Sequence, residues 1–304
     1  MMGRKQTVNF NLTMAALAAV GTGLVILPQV SMTGAKMAIS IWLNSVVPSL
    51  LPFFIFSDYI RSFGILEGLP YRGYAFFSGV FCGYPMGAKV TSGLIDDKRI
   101  SEEEGRRLLG LCMVTGPAFI MGTVGDFMGS TAGAMVVLMA HYGGALLNGI
   151  FFGAFRKGAQ KPVLPAKTAK KSEGKRGVFA DSVFAGFEAM GMILSYLMFF
   201  MIGINVMEYL GVFGVLGNEA ASAFIKGLLE MTAGSAMIGA CDLTLQMKAI
   251  LTSIIISFGG LSVACQATFM VREQGITLVD VVKMKIMHGL FAGILAIIIS
   301  EIML

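Results

Sequence analysis

Apolar runs long enough to cross a bilayer recur along this chain, separated by short polar connectors. About 20 mostly apolar residues are needed to span roughly 30 Å of hydrocarbon. Seven stretches meet that length: about Phe10 to Val30, Met37 to Ile60, Leu108 to Met128, Thr131 to Phe155, Val183 to Met207, Ala249 to Met270 and Ile286 to Leu304. Two more apolar segments, about Gly73 to Ile95 and Ala220 to Cys241, are interrupted at their centres. Gly83-Tyr84-Pro85-Met86-Gly87 breaks the first and Glu230-Met231-Thr232-Ala233-Gly234 the second. Breaks of this kind predict re-entrant hairpins, two half-helices that enter and leave the membrane on one side. Arg4 and Lys5 precede the first run as in a secretory signal, but no small-x-small cleavage pattern closes it before Pro28. The run is therefore read as an uncleaved helix.

Composition agrees with lipid as the main solvent. Hydrophobic residues make up 56% of the 304 positions, charged residues 13%, and the mean hydropathy is +0.77. A soluble domain carries about 25% charged residues, so this chain has too few to cover a water-facing surface. The four cysteines, Cys82, Cys112, Cys241 and Cys265, all lie in apolar stretches and read as small buried hydrophobes.

The net charge of +5 does not point to nucleic acid, because the basic residues follow topology instead. Arg156, Lys157, Lys161, Lys167, Lys170, Lys171, Lys175 and Arg176 share one connector with the single acid Glu173. The positive-inside rule makes that connector cytoplasmic. Arg4/Lys5, Arg61/Arg72, the Lys98–Arg107 cluster and Arg272/Lys283/Lys285 then all fall on the same side, provided both interrupted segments turn back. If those segments crossed fully, the Lys98–Arg107 cluster would be moved outside. The expected location is a bacterial cell membrane, with the N-terminus and basic linker cytoplasmic and the C-terminus extracytoplasmic.

The order of elements repeats on either side of the basic linker. Helix, broken hairpin, helix, helix runs from Met37 and again from Val183, the first set starting outside and the second inside. Tyr84 lies 147 residues before Met231, and Thr115 lies 144 before Gly259. The predicted fold is an all-α polytopic membrane protein of about seven transmembrane helices plus two re-entrant hairpins in an inverted repeat. Its units are an N-terminal helix with a short outer loop (1–36), a first repeat (37–155), the basic linker (156–180) and a second, inverted repeat (181–304). Inverted repeats with broken helices meeting at mid-membrane are an architecture of secondary transporters.

Candidate chemistry lies where polar groups fall at membrane depth, since each is costly there. Lys89, just past the first break, either pairs with an anionic solute or snorkels to the cytoplasmic interface. Glu230, at the second break, accepts hydrogen bonds from a solute, binds a coupling cation or caps a half-helix. Glu188 fits a helix start and Asp126 an outer interface. Gly83, Tyr84, Pro85 and Gly87 belong to the first break, and Thr232 and Gly234 to the second. Thr115-Gly116-Pro117 and Ser257-Phe258-Gly259-Gly260-Leu261-Ser262 open two further helices locally. Freed N–H groups and hydroxyls there suit an anion or a polar ring. Asn44, Ser45 and Gln266 complete the candidate set. Lys89 and the Gly83–Gly87 amides are expected to meet negative charge, with Glu230, Thr232, Ser262 and Gln266 at the opposite end.

Enzyme chemistry is not expected. His141 and His288 are the only histidines and have neither metal-ligand spacing nor a neighbouring nucleophile in sequence. No Walker A loop occurs, and Gly-Thr-Val-Gly-Asp at 122–126 misses the G-x-G-D shape of membrane aspartyl proteases. No cofactor or metal is expected, while coupling to protons or sodium ions and a homo-oligomeric assembly are compatible with the reading. The expected partners are a small anionic or heteroaromatic solute and the lipid bilayer, not nucleic acid.

Several of these motifs together resemble a known family. Gly83-Tyr84-Pro85-Met86-Gly87-Ala88-Lys89, Ile100-Ser101-x-x-Glu104 and Gly116-Pro117-x-Phe119-Ile120 are similar to the first half of the YlbJ (SpoVV) family of sporulation integral membrane proteins. Gly227-Leu228-Leu229-Glu230-x-Thr232-x-Gly234 and Phe258-Gly259-Gly260-Leu261-Ser262-Val263-x-x-Gln266 are similar to its second half. The resemblance covers roughly Trp42 to the C-terminus. It implies two Gate, or nucleoside-recognition, repeats and a fold like that of concentrative nucleoside transporters. For sporulation members it implies movement of dipicolinate from mother cell toward forespore. A nucleoside or nucleobase carrier and a non-transporting scaffold for sporulation or envelope morphogenesis are the competing readings.

Overall fold

The computed structural model describes residues 21–304 apart from 64, 65, 67, 85 and 157–176. Pro85, most of the basic linker and the first half of the Phe10–Val30 run lie outside the described residues. The described chain is helical throughout. Its elements are α1 (Pro28–Ile41), a π-helical turn (Trp42–Val46), α2 (Val47–Ser62), α3 (Tyr71–Cys82), α4 (Met86–Asp96) and α5 (Glu102–Cys112). A second π-helical segment (Phe119–Val124) leads into α6 (Gly125–Met128) and then α7 (Thr131–Phe151). After the linker come α8 (Val178–Tyr209), α9 (Glu219–Leu229), α10 (Met231–Ala240), α11 (Leu245–Phe258), α12 (Gly260–Val271) and α13 (Leu278–Met303).

Five described helices are long and apolar enough to cross a membrane: 28–60, 131–151, 178–209, 245–274 and 278–303. Seven spans are expected from sequence, and the difference has two sources. The first expected span falls largely outside the described residues. The Leu108–Met128 span is not continuous, because the backbone leaves the helix after Cys112 and resumes beyond Gly116. The helix expected from Met37 starts earlier, at Pro28, whose ring suits a first helical position and whose missing N–H costs nothing there. The outward faces of these helices are apolar: Phe184 and Phe187 of α8 and Ile294, Ile297 and Ile298 of α13 are all more than half exposed except at Ile297, which is 50% exposed. Faces of that kind belong in lipid, and the chain is a multi-pass α-helical membrane protein.

Local sequence explains where the helices start. Ser101 and Glu104 form a capping box at α5, and Thr277 and Asp280 another at α13. Ser130, Asn218 and Thr244 cap α7, α9 and α11. Each cap satisfies a backbone N–H that has no partner within its own helix.

Both interrupted segments fold as helical hairpins. α3 and α4 pack side by side about Gly83, which takes φ +66°. Both arms rest on the carbonyl of Cys112 at the end of α5, at Gly79 and Gly87, where a side chain would collide with it. α9 and α10 form the second hairpin and touch backbone to backbone at Gly227 and Gly234. The hairpins are held reciprocally: α4 packs on α5 and on α12, while α10 packs on α11 and on α6.

The long helices run antiparallel. Trp42 Nε1 donates to the Met190 carbonyl at 3.0 Å, Gly34 abuts Met201 and Gly186 abuts Ile55, so α1–α2 and α8 pass in opposite directions. Asn148 near the end of α7 donates to the Gly110 carbonyl, and Arg106 on the same α5 bonds Asp280 at the start of α13. At the far end Gly133 of α7 abuts Leu245, and Gln246 donates to Glu301. α7 and α13 therefore also run antiparallel. Arg72, Arg106, Arg156 and Arg272 gather at one end of the bundle, where Arg72 donates to the Arg156 carbonyl and Arg106 to that of Gly275.

Candidate functional site

The backbone breaks define the centre of the molecule. Met113 to Gly116, between α5 and the second π-helical segment, has carbonyls and amides outside any helix, and buried groups of that kind need partners. Side chains of α7 and α13 supply them. His141 Nε2 accepts from the Thr115 N–H at 3.0 Å, Tyr142 donates its hydroxyl to the Thr115 carbonyl at 2.9 Å, and Lys285 Nζ donates to the Met113 carbonyl at 3.0 Å. The second break is made by glycine: Gly259 at φ +84° and Gly260 at φ +72° hold a conformation that side chains resist. Gly260 also lies so close to the second hairpin that a Cβ would come within 3.0 Å of Met231 N and 3.1 Å of the Leu229 carbonyl.

The second hairpin turns on Glu230. It ends α9 and begins α10 with extended backbone, and its Oε2 accepts from the Ala233 N–H at 2.7 Å. The carboxyl is buried at 4% exposure, with the Thr232 and Ser262 side chains beside it.

Both hairpin turns and the first break face one cavity with about 520 Å³ of empty space. Gly83 and Tyr84 reach it from the first hairpin, Thr115 and Gly116 from the first break, and Glu230, Met231 and Thr232 from the second hairpin. Val263 and Gln266 of α12, Phe54 of α2, and Ile193 and Tyr196 of α8 close the walls. A wider cavity of about 890 Å³ adjoins it and shares Phe54, Tyr84, Ile193 and Gln266. Asp58, Lys89 and Glu188 line that second space.

The candidates from sequence separate into groups. Gly83, Tyr84, Thr115, Gly116, Glu230, Thr232 and Gln266 line the inner cavity, with Ser262 behind Glu230. Lys89 is exposed and lines only the wider space. Gly87, Gly234 and Gly260 are points of close backbone approach and Gly259 is a left-handed turn, and none of them lines the cavity. Asn44 turns back to the Ser40 carbonyl, and Ser45 donates to Asp126 Oδ2 at 3.2 Å, so neither belongs to the cavity wall. Pro85 lies outside the described residues.

Two sequence expectations are corrected by a buried polar cluster. Lys285 is not part of a cytoplasmic basic group: it is 1% exposed, on the inward face of α13. His141 and His288, isolated in sequence, are 0% and 1% exposed, with ring centroids 4.8 Å apart. Lys285 Nζ donates to Tyr84 Oη at 2.6 Å and lies 3.2 Å from His288 Nδ1. His288 Nε2 lies 2.9 Å from the His141 carbonyl, His141 Nδ1 lies 2.9 Å from Ser257 Oγ, and Tyr84 donates to the Ile256 carbonyl at 3.0 Å. A face pattern in sequence carried the signal. Val281, Met284, Lys285, His288, Gly289, Ala292 and Gly293 fall on one buried stripe of α13 at helical spacing, whereas Lys283 is exposed.

The cluster makes a stability prediction. His141→Phe orphans the Thr115 N–H and the Ser257 hydroxyl, and each buried unsatisfied group costs about 1–3 kcal/mol. Thermal unfolding in detergent is expected at a clearly lower temperature for His141→Phe. An unchanged unfolding temperature would mean that the histidine does not hold the break.

The chain is 26% identical over 316 residues to the sporulation integral membrane protein YlbJ of Bacillus subtilis (strain 168), covering 88% of this chain and 77% of the relative. No family model matches the chain, and no solved structure matches it.

Proposed function

We propose, on the premise of this relationship to YlbJ, that the chain carries a small anionic or heteroaromatic solute across the membrane. One observation carries the reading: two hairpin turns and the first helix break, drawn from both halves of the chain, converge on a single cavity that α12, which starts at the second break, helps to close. Broken helices meeting at such a site are what a secondary transporter needs, since unwound backbone offers polar groups without a charged lining. The antiparallel passage of α1–α2 against α8 and of α7 against α13 supports two inverted repeats, the first from about residue 37 and the second from about 181. The gathering of Arg72, Arg106, Arg156 and Arg272 at one end supports a cytoplasmic basic linker and an extracytoplasmic C-terminus.

In this reading the aromatic side chains of Phe54, Tyr84, Phe119 and Tyr196 hold a flat ring, and Thr232 and Gln266 orient its polar edge. Glu230 holds the cation that travels with the solute, a proton or a sodium ion. The inner cavity opens through the wider space lined by Lys89 and Glu188 toward the basic end of the bundle. Alternating access then requires the hairpins to shift against the α7–α11–α13 core.

Dipicolinate, a heteroaromatic dianion, is the solute that the family resemblance implies, and it gives the direct test. Proteoliposomes containing the full chain and trapped terbium are expected to take up dipicolinate several-fold faster than protein-free liposomes. Absence of flux in either direction, with protein that is monodisperse in detergent, overturns the dipicolinate assignment. Thermal stabilisation by uridine or adenosine, with none by dicarboxylates, would replace it with a nucleoside carrier.

A further inference from the structure

Resting on the transport reading above, we propose that Lys285 is the charge that makes the inner cavity selective for anions, acting through Tyr84. Lys89 is the residue expected from sequence to meet a negative solute, yet it is exposed in the wider space. Lys285 lies instead directly behind the inner wall. Its Nζ is 2.6 Å from the hydroxyl of Tyr84 and 4.4 Å from that ring's centroid, and Tyr84 lines the cavity.

The direction of each hydrogen bond fixes the proton inventory of the cluster. The Thr115 N–H can only donate, so His141 Nε2 accepts and its Nδ1 carries the hydrogen that goes to Ser257. The His141 carbonyl can only accept, so His288 Nε2 carries its hydrogen and Nδ1 is left to accept from Lys285. The Met113 carbonyl accepts as well, and Tyr84, whose hydrogen goes to the Ile256 carbonyl, accepts through its oxygen. Lys285 therefore faces three acceptors with one amine. An ammonium has three hydrogens and satisfies all of them; a neutral amine does so only when His288 carries the extra proton and donates it from Nδ1, so either arrangement leaves one positive charge on the Lys285–His288 pair.

Among the described residues, no carboxylate takes part in this cluster. The groups packed around Lys285 are Tyr84 of the first hairpin, Cys112 and the Met113 carbonyl of the first break, His141 of α7, His288 of its own helix and Gly259 of the second break. Salt bridges elsewhere, such as Arg106 with Asp280 and Lys226 with Glu208, lie outside it. A buried cation without an anion is costly. An anion on the cavity side of Tyr84 supplies the missing countercharge through a low-dielectric wall, where the attraction is weakly screened. Lys285 is thus a positioning charge: it touches the tyrosine and not the solute.

The test uses ligands of one shape and graded charge. Pyridine-2,6-dicarboxylate, pyridine-2-carboxylate and pyridine-2-carboxamide are titrated by calorimetry into the full chain in detergent. Wild-type affinity is expected to fall in that order. Lys285→Met is expected to weaken the dianion by about tenfold or more, the monoanion less and the amide hardly at all, and Lys285→Arg to recover most of the loss. A merely structural role would lower all three affinities by one common factor, and that result overturns the inference while leaving the transport reading in place. So does an unchanged dianion affinity in Lys285→Met. Failure of the wild type to bind either anion overturns the anion-transport reading and the inference with it. Should Lys285→Met not give monodisperse protein, Tyr84→Phe, which keeps the ring and removes the linking hydroxyl, is expected to show the same grading at smaller amplitude. Equal losses there again overturn the inference.

Discussion

Gly234→Val is expected to collapse the second hairpin. A Cβ at Gly234 would fall on the Cα of Gly227, with the Gly227 nitrogen close behind, so the obstacle is backbone and not a side chain that can turn away. Gly227 cannot retreat, because Ile255 of α11 lies against its other side. α9 and α10 would have to separate, and that would move the Glu230 turn out of the cavity. Overpacking at a well-packed site costs about 1–3 kcal/mol and occasionally more; a clash with backbone belongs at the upper end. Thermal unfolding of the valine variant in detergent is expected well below that of the wild type. Gly191→Ala serves as the matched control, since nothing lies within 4 Å of a Cβ there and alanine favours the helix. Equal unfolding temperatures for Gly234→Val and wild type would show that the arms are not in contact.

Glu230→Gln is the second large effect, and it falls on transport rather than on folding. The glutamine carbonyl can still accept from the Ala233 N–H, so the start of α10 keeps its cap. What disappears is the only carboxylate that the described residues place on the inner cavity. If that group carries the coupled cation, flux of dipicolinate into proteoliposomes is expected to fall at least about tenfold while the unfolding temperature hardly moves. Glu230→Ala loses the cap as well and is expected to cost about a further 1 kcal/mol of stability. Wild-type flux in Glu230→Gln would reduce the residue to a helix cap.

Much of this arrangement is legible in the sequence because the physics is local. Gly83, Pro85 and the Glu230–Gly234 run interrupt otherwise continuous apolar segments, and a membrane tolerates such breaks only where other protein groups satisfy the backbone. The Ser101-x-x-Glu104 pattern is a capping box whose two hydrogen bonds are both formed. The break at Thr115-Gly116 is equally visible as a motif, although the span containing it reads as continuous from hydropathy alone. The Lys285–His288–His141 cluster is not legible by proximity. Its members come from helices separated by 144 residues or more in sequence (141 against 285), and the contacts depend on how α7 crosses α13. Lys285 also follows Lys283 by two residues, so a count of basic residues places both at the interface, while helical geometry turns one inward. The roles of Gly87 and Gly234 were equally hidden, because glycine near a break suggests an opening for a ligand whereas here it admits another backbone.

The reciprocal grip on the hairpins has a mechanical consequence. The second arm of each hairpin is wedged between the first half of its own broken helix and the second half of the other. Neither turn can be displaced without loading a helix that also supports its counterpart. On the transport reading, the pair is expected to move as one linkage, in which a pull at either turn is felt at both. If the chain carries a solute as proposed, such a linkage is expected to resist opening from the two sides at once, with leakage requiring that a wedge fail rather than that a single turn fluctuate.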